Sequence, residues 1–396
     1  MRVLSLSTQN EPCGIATYND QLRAAFSSLG HQYDVFPIDI DRYQRLARVE
    51  IKSYFDPFIE QAANYDAIVL QHEYGLYDAG YSIKEAIKVF SSIVRSVSAL
   101  NKPTLVFFHS DPPTFERQLA KLLSSRRRAW ELMVHVFRRH PNMHIFVHGP
   151  DTRRRYIDRG LPKDRVIDVI HPFPVRPNGL APWQPKDAQR DDITLTIFGF
   201  VSEYKGYDTA LHALSLLPIN YRLVIAGGPH PRALRDRTLD KILESVGISR
   251  VAFEMPTAQQ PAAGPPQRGT PSNRRIVMTG WLTPEQVQSI LGATDIVLAP
   301  YKEKGPSGSG AVTWGLASGR PVIATRTRPF LALNRAERCL QLVSADAPFE
   351  LARAIIAVAS DRAEQERMVS AGLALAERYD WSRFAKFLLP YLTASA

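Results

Sequence analysis

Short apolar runs alternate with amphipathic stretches along the whole chain. In the first half the runs are VLSLST, YDVFPI, AIVLQ, TLVFFH, HIFVH and VIDVIH, with helix-like spacing between most of them. That rhythm predicts a parallel sheet wrapped by helices. In the first crossover, Gly14 permits a tight loop, Thr17 followed by Asp20 resembles a capping box, and Leu22, Ala25, Phe26 and Leu29 make a helical stripe that Gly30 stops. From Phe173 to Asp192 the stretch FPVRPNGLAPWQPKDAQRDD has no periodicity and reads as an interdomain linker. The rhythm then restarts with ITLTIFGF, YRLVIAGG, RRIVMTGWL, DIVLAPY and PVIAT, and Thr283 with Pro284 caps the helix after one of these strands.

The expected organisation is a domain over 1–175, a linker over 176–192 and a second doubly wound domain over 193–378. Residues 379–396, apolar and aromatic, are expected to form a last helix docking back on the first domain. Residues 256–274, dense in Pro, Gly and Gln, are expected to form a mobile loop.

Composition narrows the class. The chain has 396 residues, enough for two cores, and 45% hydrophobic with 22% charged residues are ordinary globular values. Cys13 and Cys339 fit no metal or redox spacing, which favours a reducing compartment. The start MRVLSLSTQN reads as a strand and not a secretion signal, and no uninterrupted run of about eighteen apolar residues occurs, so a cytoplasmic protein is expected. The net charge of +10 is uneven: between Arg117 and Arg155 ten Lys/Arg face two acids, Glu131 and Asp151. Mixed with Leu, Trp, Val and Phe, that segment suits either a solvated helix face or a peripheral contact with an anionic membrane on its inner face. Nucleic acid fits it less well.

Open parallel sheets bind ligands beyond the carboxyl ends of their strands. Following the strands stand Cys13 and Gly14, then His72-Glu73, His109-Ser110-Asp111 and His148-Gly149 in the first half. Gly199 with Lys205, Gly227-Gly228 and the stretch Gly305 to Gly310 follow in the second. GPSGSGAVTWGLASGRPVIAT is a glycine-serine loop entering a short helix, whose free amides and dipole make a diphosphate site. It is not a P-loop, because Ala311 stands where a Walker lysine is required. Lys205, read as an exposed lysine at a strand-to-helix turn, adds a cation. Asp39-Ile40-Asp41 forms a DxD but sits too early in the chain for a metal-diphosphate role and reads as a strand-end acidic pair.

The ordered set CGIATYNDQL, VLQHEYGLYDAG, VFFHSDPP, IFGFVSEYKGYDTALHAL, VIAGG, DIVLAPY and SGAVTWGLASGRPVIAT resembles the retaining family-four (group 1) glycosyltransferases, over nearly the whole chain. The resemblance implies an α/β chain of two Rossmann-like doubly wound domains facing across a cleft, the GT-B fold. It implies metal-independent, cofactor-free transfer of a sugar from a nucleotide-diphosphate donor, with retention, to a glycan or lipid-linked acceptor in surface polysaccharide or glycoconjugate synthesis. Residue by residue, it makes Lys205 the diphosphate lysine and Ser309 and Gly310 the amide donors. Gly14 becomes the loop glycine approaching phosphate and acceptor, and His109 the catalytic histidine against the transferred sugar. Ser307, Gly308, Gly199 and Gly227 fall beside the donor sugar or nucleoside, and His72 and Glu73 on the acceptor rim. Two departures stand out. Phe200 replaces the arginine that often follows the glycine, and the family's usual pair of glutamates falls on Ser307 and Trp314. A second reading is therefore a sugar-nucleotide-binding relative without turnover, acting as a partner subunit.

Overall fold

A computed structural model of the chain describes residues 1–10, 13–47, 49–78, 80, 82–113, 125–176, 180, 182–189, 191–228, 241, 275–302 and 308–393. The expected mobile loop 256–274 lies outside them. The chain divides into two compact units, one formed chiefly by Met1–Ile170 with Trp381–Ala396, the other by His171–Gly305 with Ser309–Asp380.

In the first unit, β1 (Arg2–Ser7), β2 (Gln32–Pro37), β3 (Ala67–His72), β4 (Thr104–Phe108), β5 (Met143–His148) and β6 (Val166–Val169) form one sheet in the order β2-β1-β3-β4-β5-β6, every pair parallel. Between them run α1 (Gly14–Ser28), α2 (Ile40–Tyr43), α3 (Asp56–Ala62), α4 (Tyr74–Tyr77), α5 (Ile83–Ser98), α6 (Ser125–Arg139) and α7 (Pro150–Asp158). The strand order reverses between β1 and β3, so the loops after these two strands flank the switch point where open sheets take ligands. On one face, Ala86, Ile87, Phe90, Ile93 and Val94 of α5 meet Trp130, Met133, Val134 and Phe137 of α6 in a core with Ile68, Leu70, Val106 and Phe108.

The second unit carries β7 (Ile193–Phe198), β8 (Tyr221–Ala226), β9 (Ile276–Met278), β10 (Ile296–Ala299), β11 (Val322–Thr325) and β12 (Leu340–Val343). Their order is β12-β11-β10-β7-β8-β9, again all parallel. Its helices are α8 (Tyr207–Ser215), α9 (Pro284–Ala293), α10 (Gly310–Ala317), α11 (Arg328–Ala336), α12 (Pro348–Ser360) and α13 (Arg362–Arg378). Here the order reverses between β7 and β10, which places the switch point beside Gly199 to Lys205 and Tyr301.

The last helix, α14 (Trp381–Thr393), belongs to the first unit. Its Trp381, Phe384, Ala385, Leu388 and Leu392 pack with Tyr18, Leu22 and Phe26 of α1 on the second face of the first sheet. Local signals are partly as expected. Thr283 makes a full capping box with Gln286 at α9. At α1, however, the helix begins a turn before Thr17: Cys13 is the N-cap without a side-chain bond, and the Thr17 hydroxyl bonds back to the Cys13 carbonyl at 3.3 Å. Three residues on from Thr17, Asp20 therefore lies inside the helix and closes no capping box.

Candidate functional site

The carboxyl ends of β7 and β10 gather the second unit's chemistry. Gly199 turns the chain at φ 100°, a Glu203–Lys205 turn follows, and Gly206 (φ 68°) starts α8 where any Cβ would collide with the Pro300 carbonyl. Lys205 is not the exposed lysine that the sequence suggests. It is 4% exposed, and its Nζ donates to the Phe198 carbonyl at 2.9 Å. The ammonium lies 5.6 Å from the centre of the Tyr301 ring, and a Cβ on Gly199 would strike it. Burial alone brings its pKa from 10.5 down to about 7. A lysine held dry, with a carbonyl and a ring as its company among the described residues, is poised for an arriving anion.

Next to it, Ser309 is the N-cap of α10. Its hydroxyl accepts from Val312 N at 3.3 Å and bonds the Tyr301 hydroxyl at 2.9 Å. The helix itself supplies no acceptor for the Gly310 and Ala311 amides, so they are the donors that an oxyanion would meet. His171, which the sequence did not single out, lies against this helix start: a Cβ on Gly310 would be 3.8 Å from its Cε1. Its Nδ1 donates to the Pro172 carbonyl at 2.9 Å, and burial lowers its pKa to about 4, so the ring is neutral.

Beyond β8 and β9 the backbone is pressed close. Gly227 (φ 153°) leaves no room for a Cβ against the Gly199 carbonyl, and Gly228 lies under the Trp281 indole, 2.6 Å from where its Cβ would be. Phe200 packs on Trp281 with ring centres 5.2 Å apart. The position where the family often carries arginine therefore contributes an aromatic surface. Trp281 is a residue that sequence reading missed, since GWL at a strand end looks like ordinary core. Ser307 lies outside the described residues, and Gly308 immediately precedes the Ser309 cap. Trp314, half-buried, sits in the second turn of α10.

In the first unit, Gly14 opens α1 on open space: a Cβ built on it would have nothing within 4 Å. His109 follows β4, half-buried, with Nε2 2.7 Å from Gln71 Oε1, the Tyr18 ring edge-on at 4.8 Å and His148 at 5.7 Å. Its loop is pinned by α7: Tyr156 donates to the Ser110 carbonyl at 2.7 Å, and Arg155 pairs with Asp111. His72 requires a correction. It points to the opposite face, 1% exposed among Tyr74, Tyr77, Phe90 and Phe108, and burial lowers its pKa to about 3. A ring so enclosed is a core residue and meets no acceptor hydroxyl. Glu73 remains at the strand end, where its carboxylate caps α4 through Gly75 N at 2.6 Å.

Asp39 caps α2 by accepting from Arg42 N at 2.8 Å. Among the described residues no group of three or more His, Cys, Asp or Glu could hold a metal ion, and no helix is long and apolar enough to cross a membrane. On α6, Arg128, Glu131, Leu132, His135, Arg138 and Arg139 are exposed, Leu132 by 64%.

Against known proteins, residues 192–361 match the family model described as glycosyl transferases group 1. No curated protein matches the chain. Among solved structures, Anabaena Alr3699/HepE in complex with UDP and glucose is similar at 14% identity, covering 100% of each chain with a TM-score of 0.67. A glycosyltransferase from Rickettsia africae ESF-5 is similar at 12% identity, covering 100% of this chain and 99% of that one, with a TM-score of 0.67. WaaG, a glycosyltransferase involved in lipopolysaccharide biosynthesis, is similar at 10% identity over 100% of both chains, with a TM-score of 0.62. At such identities the likeness concerns the fold. Residues 192–361 thus match the group 1 glycosyltransferase model, and the two parallel sheets, six strands each among the described residues, give the chain the GT-B fold of these structures.

Proposed function

We propose that the chain is a retaining, metal-independent glycosyltransferase moving a sugar from a nucleotide-diphosphate donor to a glycan or lipid-linked acceptor. The observation that carries this reading is the buried Lys205, without a carboxylate partner among the described residues, beside the amides that open α10 at the switch point of the domain matched to group 1. The lysine and the amides stabilise the negative charge of the departing diphosphate. His109 serves the transferred sugar. Retention fits a front-face transfer: the bond from the anomeric carbon to diphosphate oxygen breaks while the acceptor oxygen attacks from the same side, and the acceptor proton passes to the leaving diphosphate. UDP and UDP-glucose in the complexes of the HepE structures make uridine donors the first to try.

The exposed cationic face of α6, with Leu132 among its arginines, supports a lipid-proximal acceptor reached from an anionic membrane surface. Phe200, packed on Trp281 where a phosphate-pairing arginine is usual, is the observation that favours the second reading, a binding subunit without turnover. A panel of nucleotide sugars with candidate acceptors decides between them. Release of nucleoside diphosphate with a product of unchanged anomeric configuration by NMR supports the transferase. Tight donor binding with no release under any condition supports the subunit.

A further inference from the structure

Behind His109 runs a chain of buried polar side chains that packing alone does not require. Gln71, fully buried on β3, presents Oε1 to His109 Nε2 at 2.7 Å and turns its Nε2 to Asn19 Oδ1 at 3.3 Å. Asn19 on α1 is 1% exposed, and its Oδ1 also accepts from Ser5 Oγ at 2.8 Å and Tyr33 OH at 2.9 Å. Its Nδ2 has no hydrogen-bond partner among the described residues. With Asn19 turned this way, Ser5, Tyr33 and Gln71 all donate to its one carbonyl oxygen. The direction of each bond then follows from the last: an oxygen at Asn19 needs the NH2 of Gln71, and the remaining Gln71 oxygen needs a proton on His109 Nε2. In a neutral imidazole, a proton on Nε2 leaves the lone pair on Nδ1.

We propose that Gln71 and Asn19 are positioning residues that hold His109 in the Nε2–H tautomer, so that Nδ1 is the ring nitrogen able to accept a proton. The effect on turnover rests on the role given to His109 above, whereas the tautomer stands apart from it. The reverse arrangement, with both amides turned over, would aim the Gln71 NH2 at His109 and impose the Nδ1–H form. Two buried polar positions, one on a strand and one on a helix, therefore decide what the histidine can accept or donate. Hydroxyl-bearing Ser5 and Tyr33 can serve either direction, so the tautomer is the deciding observable.

Long-range proton–nitrogen correlation of the 15N-labelled full chain, with His109 assigned by its absence in His109→Gln, reads the tautomer directly at a pH where the ring is neutral. The expected wild-type spectrum shows a protonated Nε2 and an unprotonated Nδ1. Gln71→Leu should give a mixture of both tautomers and about a tenfold loss in kcat/KM. Gln71→Glu, which keeps an acceptor at Nε2, should retain the wild-type tautomer. A wild-type Nδ1–H spectrum, or a Gln71→Leu spectrum identical to wild type, overturns the proposal. The wild-type measurement stands even if the leucine variant does not fold. If instead His109→Ala leaves turnover intact while the wild-type ring is Nε2–H, the role of His109 fails and the relay survives.

Discussion

Replacing Lys205 by Met separates what this side chain does for the fold from what it does for a ligand. In the free protein, Nζ is buried beside the Phe198 carbonyl and its pKa falls from 10.5 to about 7. At 1.36 kcal/mol per unit, that depression is on the order of 5 kcal/mol against the protonated folded state. The unfolded chain keeps its lysine proton up to about pH 10.5, so wild-type stability rises with pH between about 7 and 10.5 and is lowest, with respect to this group, below 7. The Met variant lacks that dependence. Its stability relative to wild type should be greatest at or below pH 7 and should shrink as pH rises toward 10.5, as read from denaturant unfolding at several pH values. Ligand binding should move the other way. Losing one charge-assisted contact to a diphosphate costs about 1.5–3 kcal/mol, roughly 10- to 150-fold in Kd. Binding must also protonate wild-type Lys205 above pH 7, so affinity should fall by up to about tenfold per unit between about pH 7.5 and 9. Calorimetry in buffers of different ionisation enthalpy measures that proton uptake. Unchanged affinity in Lys205→Met, or no proton taken up by wild type across this range, would refute the reasoning.

Gly199→Ala should weaken nucleoside-diphosphate binding and destabilise the fold by about 1–3 kcal/mol, because the backbone is at φ 100° and the new methyl strikes Lys205 Nζ; unfolding midpoints equal to wild type would contradict this. Turnover should persist in excess EDTA, and loss restored by magnesium or manganese would overturn the metal-free reading. Replacing Arg126, Arg127 and Arg128 by Ser should release the protein from anionic vesicles in co-sedimentation, and raising salt should mimic the variant, at about 1 kcal/mol per cation. Wild type ignoring such vesicles at low salt would leave α6 a solvated face and favour a soluble acceptor.

Much of the architecture was legible in sequence because most strands of both sheets are short apolar runs with a helix-like partner, and the glycine turns mark strand ends. The glycine turns also mark the stretches that hold Lys205, Ser309 and Gly310, whose diphosphate roles the family resemblance implies. Sequence patterns mislead where side-chain direction decides the role. His72 and Gln71 are adjacent on β3, and only the alternation of faces sends the histidine into the aromatic core and the glutamine toward His109. Lys205 looked exposed because nothing in EYKGYD shows that Gly199 leaves a slot for its ammonium. Thr17 and Asp20 imitated a capping box, but the helix takes its start from Cys13 one turn earlier. His171 and Trp281 come to their places through contacts distant in sequence, with Gly310 and Gly228, which no local pattern encodes.

A crystal structure of the chain soaked with UDP, and with GDP and ADP in parallel, tests the central claim most directly. The account predicts a nucleotide whose diphosphate oxygens lie within hydrogen-bond distance of Lys205 Nζ and the amides of Gly310 and Ala311. A nucleotide bound elsewhere with this turn untouched, or no binding by any of the three at millimolar concentration, would contradict it.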